Sequence, residues 1–118
     1  MADKSVVVQF RCDEDTIEKL DIMAKKHRST RSDTIRFIVS DNLWVYDKKE
    51  KLGITGLREF DRAKKGETKK ERRLIYRCSE EDRDDLQTMA DLYNTSISRY
   101  LRGAIRTCYE EEKRYKMI

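Results

Sequence analysis

A displacement of 66 residues lays this chain on itself, so that residues 6–43 align with 72–109 without a gap. Arg11, Cys12, Glu14, Leu20, Met23, Ala24, Ser32 and Arg36 meet identical residues at Arg77, Cys78, Glu80, Leu86, Met89, Ala90, Ser98 and Arg102. Ser29, Thr30 and Ile35 meet the close chemical matches Thr95, Ser96 and Leu101. Such a period marks one supersecondary unit used twice, and it restricts the fold to arrangements in which two copies bury together what neither can bury alone.

Each copy opens on an alternating run. Val8, Phe10 and Cys12 share one face of a strand, and Val7, Gln9 and Arg11 the other. In the second copy Leu74, Tyr76 and Cys78 share the first face, and Arg73, Ile75 and Arg77 the second. A helix start follows at Asp13 or Ser79. Glu14 and Asp15, or Glu80, Glu81 and Asp82, crowd the first turn and match the positive end of the helix dipole. Ile17, Leu20, Met23 and Ala24 then form an apolar stripe. The second copy keeps Leu86, Met89, Ala90 and Tyr93 but has Arg83 where Ile17 stood, which weakens its core at the first turn.

Asn94 suits the left-handed position that ends a helix, and Arg28, its equivalent, suits it less well. Thr30 with Asp33 reads as a capping box, and Ser96 caps the matching helix. These second helices are predicted over about 31–46 and 97–115, with Ile35, Ile38, Val39 and Leu43, and Leu101, Ala104, Ile105, Cys108 and Tyr109, on their apolar faces. Trp44 and Tyr46, at the end of the first, read as core. The acid runs at 80–85 and 110–112 read as solvated faces.

A lone strand with two short helices leaves its backbone donors and acceptors unpaired. Two units solve this by pairing their strands antiparallel about Gln9 and Ile75 over four interleaved helices. The expected fold is therefore mainly α with a two-stranded antiparallel ribbon, an intrachain pseudo-dimer. Its parts are a first unit over 1–46, a basic linker over 47–71 and a second unit over 72–118. Leu57, Phe60 and Ala63 sit at helical spacing, so the linker has room for a short helix. A chain of 118 residues fits this as one ordinary domain.

Charge is unevenly spread. Residues 1–46 hold 8 bases and 8 acids, residues 47–73 hold 11 and 6, and residues 74–118 hold 8 and 9. A basic middle suits a polyanion contact, with Lys64, Lys65, Lys69 and Lys70 within reach of flanking phosphates, and equally suits a solvated linker. Cys12, Cys78 and Cys108 are odd in number and form no CxxC, which argues against a disulfide framework or zinc site. In the expected ribbon Cys12 and Cys78 lie at opposite ends, roughly 20 Å apart, beyond disulfide reach. Free thiols follow, with no metal and no cofactor. His27 reads as helix surface. No run approaches the roughly 20 apolar residues of a membrane span. The start MADKSVVVQF is unlike a secretory signal, so a cytoplasmic location is expected.

The order strand, acid-capped helix, turn, Ser/Thr-capped helix, over 6–46 and again over 72–115, resembles the ribbon-helix-helix superfamily, which includes the Arc and Met repressors. As a tandem single chain it is similar to regulators carried by viruses of thermophilic archaea, which would place it in the host cytoplasm. The resemblance implies a ribbon that enters the major groove of double-stranded DNA. Val7, Gln9, Arg11, Arg73, Ile75 and Arg77 would read bases. Thr30, Arg31 and Ser32, with Ser96, Ile97 and Ser98, would hold phosphates at two helix starts. The residue chemistry suits this on its own: Arg grips guanine, Gln grips adenine, and Val or Ile touches a thymine methyl. The expected function is a sequence-specific transcription regulator, most simply a repressor, with self-association of chains on DNA. An antitoxin-type autoregulator is the alternative, although the tail after Glu112 is short for wrapping a toxin. A non-specific architectural DNA binder is another. No nucleophile–base set, Gly-rich phosphate loop or metal cluster points to an enzyme.

Overall fold

The computed structural model describes residues 6–54, 57 and 71–115. Six elements run along the chain. They are β1 (Val6–Asp13), α1 (Glu14–Lys26), α2 (Arg31–Lys51), β2 (Glu71–Cys78), α3 (Glu80–Leu92) and α4 (Ile97–Arg114). β1 and β2 form a two-stranded antiparallel sheet whose register pairs Gln9 with Ile75, Val7 with Arg77 and Arg11 with Arg73. The expected pairing about Gln9 and Ile75 is the one observed.

The alternation of the strands sorts their side chains. Phe10, Cys12, Leu74, Tyr76 and Cys78 are buried, whereas Val7, Gln9, Arg11, Arg73, Ile75 and Arg77 are exposed. Below the ribbon the core takes Ile17, Leu20 and Met23 from α1, Ile35, Ile38 and Val39 from α2, Leu86 and Met89 from α3, and Tyr100, Leu101 and Ile105 from α4. Each such side chain contributes about 1.5–3 kcal/mol by leaving water. The closest helix packing crosses between the copies, α1 against α4 and α2 against α3. Between α2 and α4, also from different copies, Asn42 Nδ2 donates to the buried Tyr100 hydroxyl at 2.8 Å. Burial in α3 begins only at Leu86, while α1 buries Thr16 and Ile17 one turn earlier. The Ile17-to-Arg83 exchange thus leaves the second unit without an apolar first turn.

All four helices start on the residues the sequence marks. Asp13, Thr30, Ser79 and Ser96 each accept a bond from the backbone N–H three residues on, and Ser79 with Asp82 closes the reciprocal box. Arg28 and Asn94 both adopt φ of 53°, so the arginine takes the left-handed position despite its side chain. The 6→1 turn it allows is closed in both copies, by Ser29 N–H to Ala24 O and by Thr95 N–H to Ala90 O.

Three features differ from expectation. α2 runs to Lys51, five residues past the expected end at 46, into the segment read as linker, and stops where Gly53 takes φ of +73°. Trp44 is 60% exposed rather than core, with Lys48 over its ring, because α2 has by then outrun the core, whose last buried α2 residue is Val39. Glu112 is buried against His27 Nε2 rather than solvated, which gives His27 a partner across α1 and α4. The expected short helix near Leu57, Phe60 and Ala63, and Lys64, Lys65, Lys69 and Lys70, lie outside the described residues apart from Leu57.

The cysteines are free, Cys12 and Cys78 buried and Cys108 half-buried. Burial, with Asp13 adding, pushes the Cys12 thiol from its ordinary 9.0 to about 12, and burial also raises Cys78 and Tyr76. The unfolded chain therefore ionises thiols that the folded chain keeps protonated. Stability from this source is complete below pH 9 and is lost as pH rises toward 12. The urea midpoint is expected to fall steeply in that range, and Cys12→Ala should fall less steeply over the same interval.

Candidate nucleic-acid interface

The outward face of the ribbon gathers the six candidate base readers. Val7, Gln9 and Arg11 lie on one strand and Arg77, Ile75 and Arg73 lie opposite them in that order. Along each strand the three side chains span four residues, about 14 Å. The backbone N–H of Arg77 donates to Ser32 Oγ at 2.9 Å, and that of Arg11 donates to Ser98 Oγ at 3.3 Å. These amides point away from the partner strand, so the reader pairs are the non-hydrogen-bonded ones, whose side chains stand closest together. Arg11 and Arg73 therefore project side by side. Like charges directly opposite one another destabilise a ribbon, and an anionic ligand would relieve that repulsion.

The two serine bonds also fix where the helix starts lie. Ser32 belongs to α2 of the first unit and holds the strand of the second, and Ser98 of α4 holds the strand of the first. The free amides at the first turns of α2 and α4 are thus tied to the two edges of the ribbon, where a helix N-terminus favours an anion. Gln9, Arg11, Arg73 and Ser98 line one shallow depression there.

The six candidate phosphate residues are placed as follows. Thr30 and Ser96 are N-caps whose hydroxyls accept from Asp33 N–H and Arg99 N–H. Ser32 and Ser98 face the strands rather than only solvent, and their hydroxyl hydrogens remain to be donated. Arg31 forms a two-bond pair with Asp21 of α1 at 2.6 and 2.9 Å. That pair holds the Asp21 carboxyl below its ordinary range and raises Arg31, so a phosphate would compete with Asp21 for the guanidinium. Ile97 packs against the core and offers only its backbone.

Two further arginines bond between the two copies and escaped the sequence reading, although the Arg36/Arg102 coincidence in the repeat marked them. The buried Arg102 guanidinium donates through Nη1 to the Arg11 carbonyl at 3.0 Å. Its twin Arg36 instead donates to Asp82 at 3.1 Å. The difference follows from the residues they meet, since Thr16 stands where the second copy has Asp82.

Among the described residues no group of His, Cys, Asp and Glu is placed to hold a metal ion, and no helix is long and apolar enough to cross a membrane. Residues 6–42, which carry β1, α1 and the first half of α2, match the family model described as ribbon-helix-helix protein, copG family. No curated protein and no solved structure matches the chain.

Proposed function

We propose that this chain, whose residues 6–42 match the family model of copG ribbon-helix-helix proteins, is a sequence-specific DNA-binding transcription regulator, most simply a repressor. That family comprises DNA-binding regulators that usually act as dimers. Here β2 of the same chain supplies the partner strand that a dimer would bring.

The observation that carries this reading is the outward ribbon face, with Arg11, Arg73 and Arg77 around Gln9, Val7 and Ile75. A two-stranded ribbon fits a major groove about 12 Å wide, and these side chains match the donor and methyl patterns of its base edges. Thr30, Arg31 and Ser32, with Ser96, Ile97 and Ser98, flank the ribbon at two helix starts and would fix its register on phosphates. The shared caps and the matching serine-to-strand bonds support reading 72–115 as a second unit of the same kind.

Selection of bound fragments from random duplex DNA tests the reading. A defined motif is expected, and Gln9→Ala should relax it at one position. Binding should weaken with salt on a log–log slope steeper than about −2, since two helix starts imply at least two neutralised phosphates. Equal affinity for all sequences would leave only a non-specific coat and overturn the proposal. A reporter carrying the selected motif across its promoter separates repression from activation.

A further inference from the structure

The repeat shift carries Val7 to Arg73, Gln9 to Ile75 and Arg11 to Arg77. The register pairs Gln9 with Ile75, its own repeat equivalent, so a pseudo-two-fold axis passes through that pair. It exchanges Arg11 with Arg77, and the bonds that hold them agree, since Ser98 grips one backbone and Ser32 the other. The ribbon therefore keeps one symmetric feature, an arginine at each end. Symmetry is broken at the other two positions. Arg73 stands beside Arg11 at one end, where Val7 stands beside Arg77 at the other, and at the centre glutamine faces isoleucine.

We infer that a single chain reads an oriented, non-palindromic block of DNA whose base order is set by this register. The inference rests on the ribbon being the base reader. Successive reader pairs are two residues apart, about 6.8 Å, or two base-pair steps, so the block spans about five base pairs. The Arg11–Arg73 end calls for guanines from both side chains. The centre calls for an A·T pair, adenine to Gln9 and the thymine methyl to Ile75. The Arg77–Val7 end calls for one guanine with a neighbouring thymine. A homodimer with the same strand twice could not hold such an order, because its two ends would be identical. The divergence of the two strands confers on one polypeptide a direction along the duplex.

The test is a selection from random duplex with the full chain, with chains per site counted by native mass spectrometry so that the block under one chain is known. The wild type should select an asymmetric block. A duplex with its two end positions exchanged should bind at least about tenfold more weakly. The double variant Val7→Arg with Ile75→Gln makes the two reading faces identical. Both positions are 46% exposed, so the core is untouched. This variant should select a palindromic block and bind the exchanged duplex as well as the original. A palindromic block for the wild type, or an unchanged asymmetric block for the double variant, would overturn the inference. If Gln9→Ala and Arg77→Ala still alter the motif, base reading by the ribbon survives that failure. If they do not, base reading falls as well.

Discussion

Arg77→Ala is expected to weaken binding to the preferred duplex by about 1–3 kcal/mol, roughly five- to 150-fold, the worth of one arginine–guanine pair. Binding to unrelated duplex should fall far less, and the urea midpoint should stay where it was. The asymmetry follows from how the residue is held. Its backbone N–H is fixed by Ser32 Oγ and its strand by the pairing with β1, while its side chain is exposed. Truncation at Cβ therefore removes a guanidinium and leaves the scaffold. Arg73→Ala should move stability the other way. It removes one of two directly opposed positive charges, so the fold should gain up to about 1 kcal/mol while DNA binding weakens. A residue kept for structural reasons would show loss in both measurements. Equilibrium binding by fluorescence anisotropy, beside urea unfolding, separates the cases. An Arg77→Ala protein that keeps its affinity and motif would remove the ribbon from base recognition.

The legible and illegible parts of this molecule divide on physical lines. Local chemistry was readable. The period-two runs at Val6–Cys12 and Leu74–Cys78 gave the strands, and Asp13, Thr30, Ser79 and Ser96 gave the helix starts, because a cap is decided by residues three apart. The strand partner was readable too, since an isolated strand demands one and the repeat offers only one candidate. What depends on distant contacts was not. Ser32 and Ser98 bond to strands 45 and 87 residues away, and Arg31 turns back to Asp21 on α1. Glu112 sits in an acid run that looks solvated, yet α4 lays it against His27. The true end of α2 was hidden for another reason. Beyond Val39 no α2 residue is fully buried, so the apolar period that reveals a helix fades while the backbone continues on helix-forming Lys and Glu to Lys51. Trp44 was misplaced by the same cause, since an aromatic on a helix counts as core only where there is a core beside it.

Phe10→Ala should produce the largest loss of stability, about 3–5 kcal/mol, the range for deleting a buried aromatic side chain. Phe10 is 2% exposed and lies across from Leu74, on the same inward face as Tyr76, its repeat equivalent. Val7→Ala, three residues earlier on the opposite face, should change stability by less than about 0.5 kcal/mol. The pair is a strict test of register, because slipping one strand by a single residue would send every inward side chain outward and exchange the two results. The consequence reaches function. With total stability of about 5–15 kcal/mol for a domain of this kind, the Phe10→Ala protein should be partly unfolded on mild warming. Its DNA affinity should then fall with temperature in step with its near-ultraviolet circular dichroism, whereas Arg77→Ala should lose affinity at every temperature with its spectrum intact. Should Phe10→Ala prove as stable as the parent, the inward face of the ribbon is misassigned, and with it the outward face on which DNA reading depends.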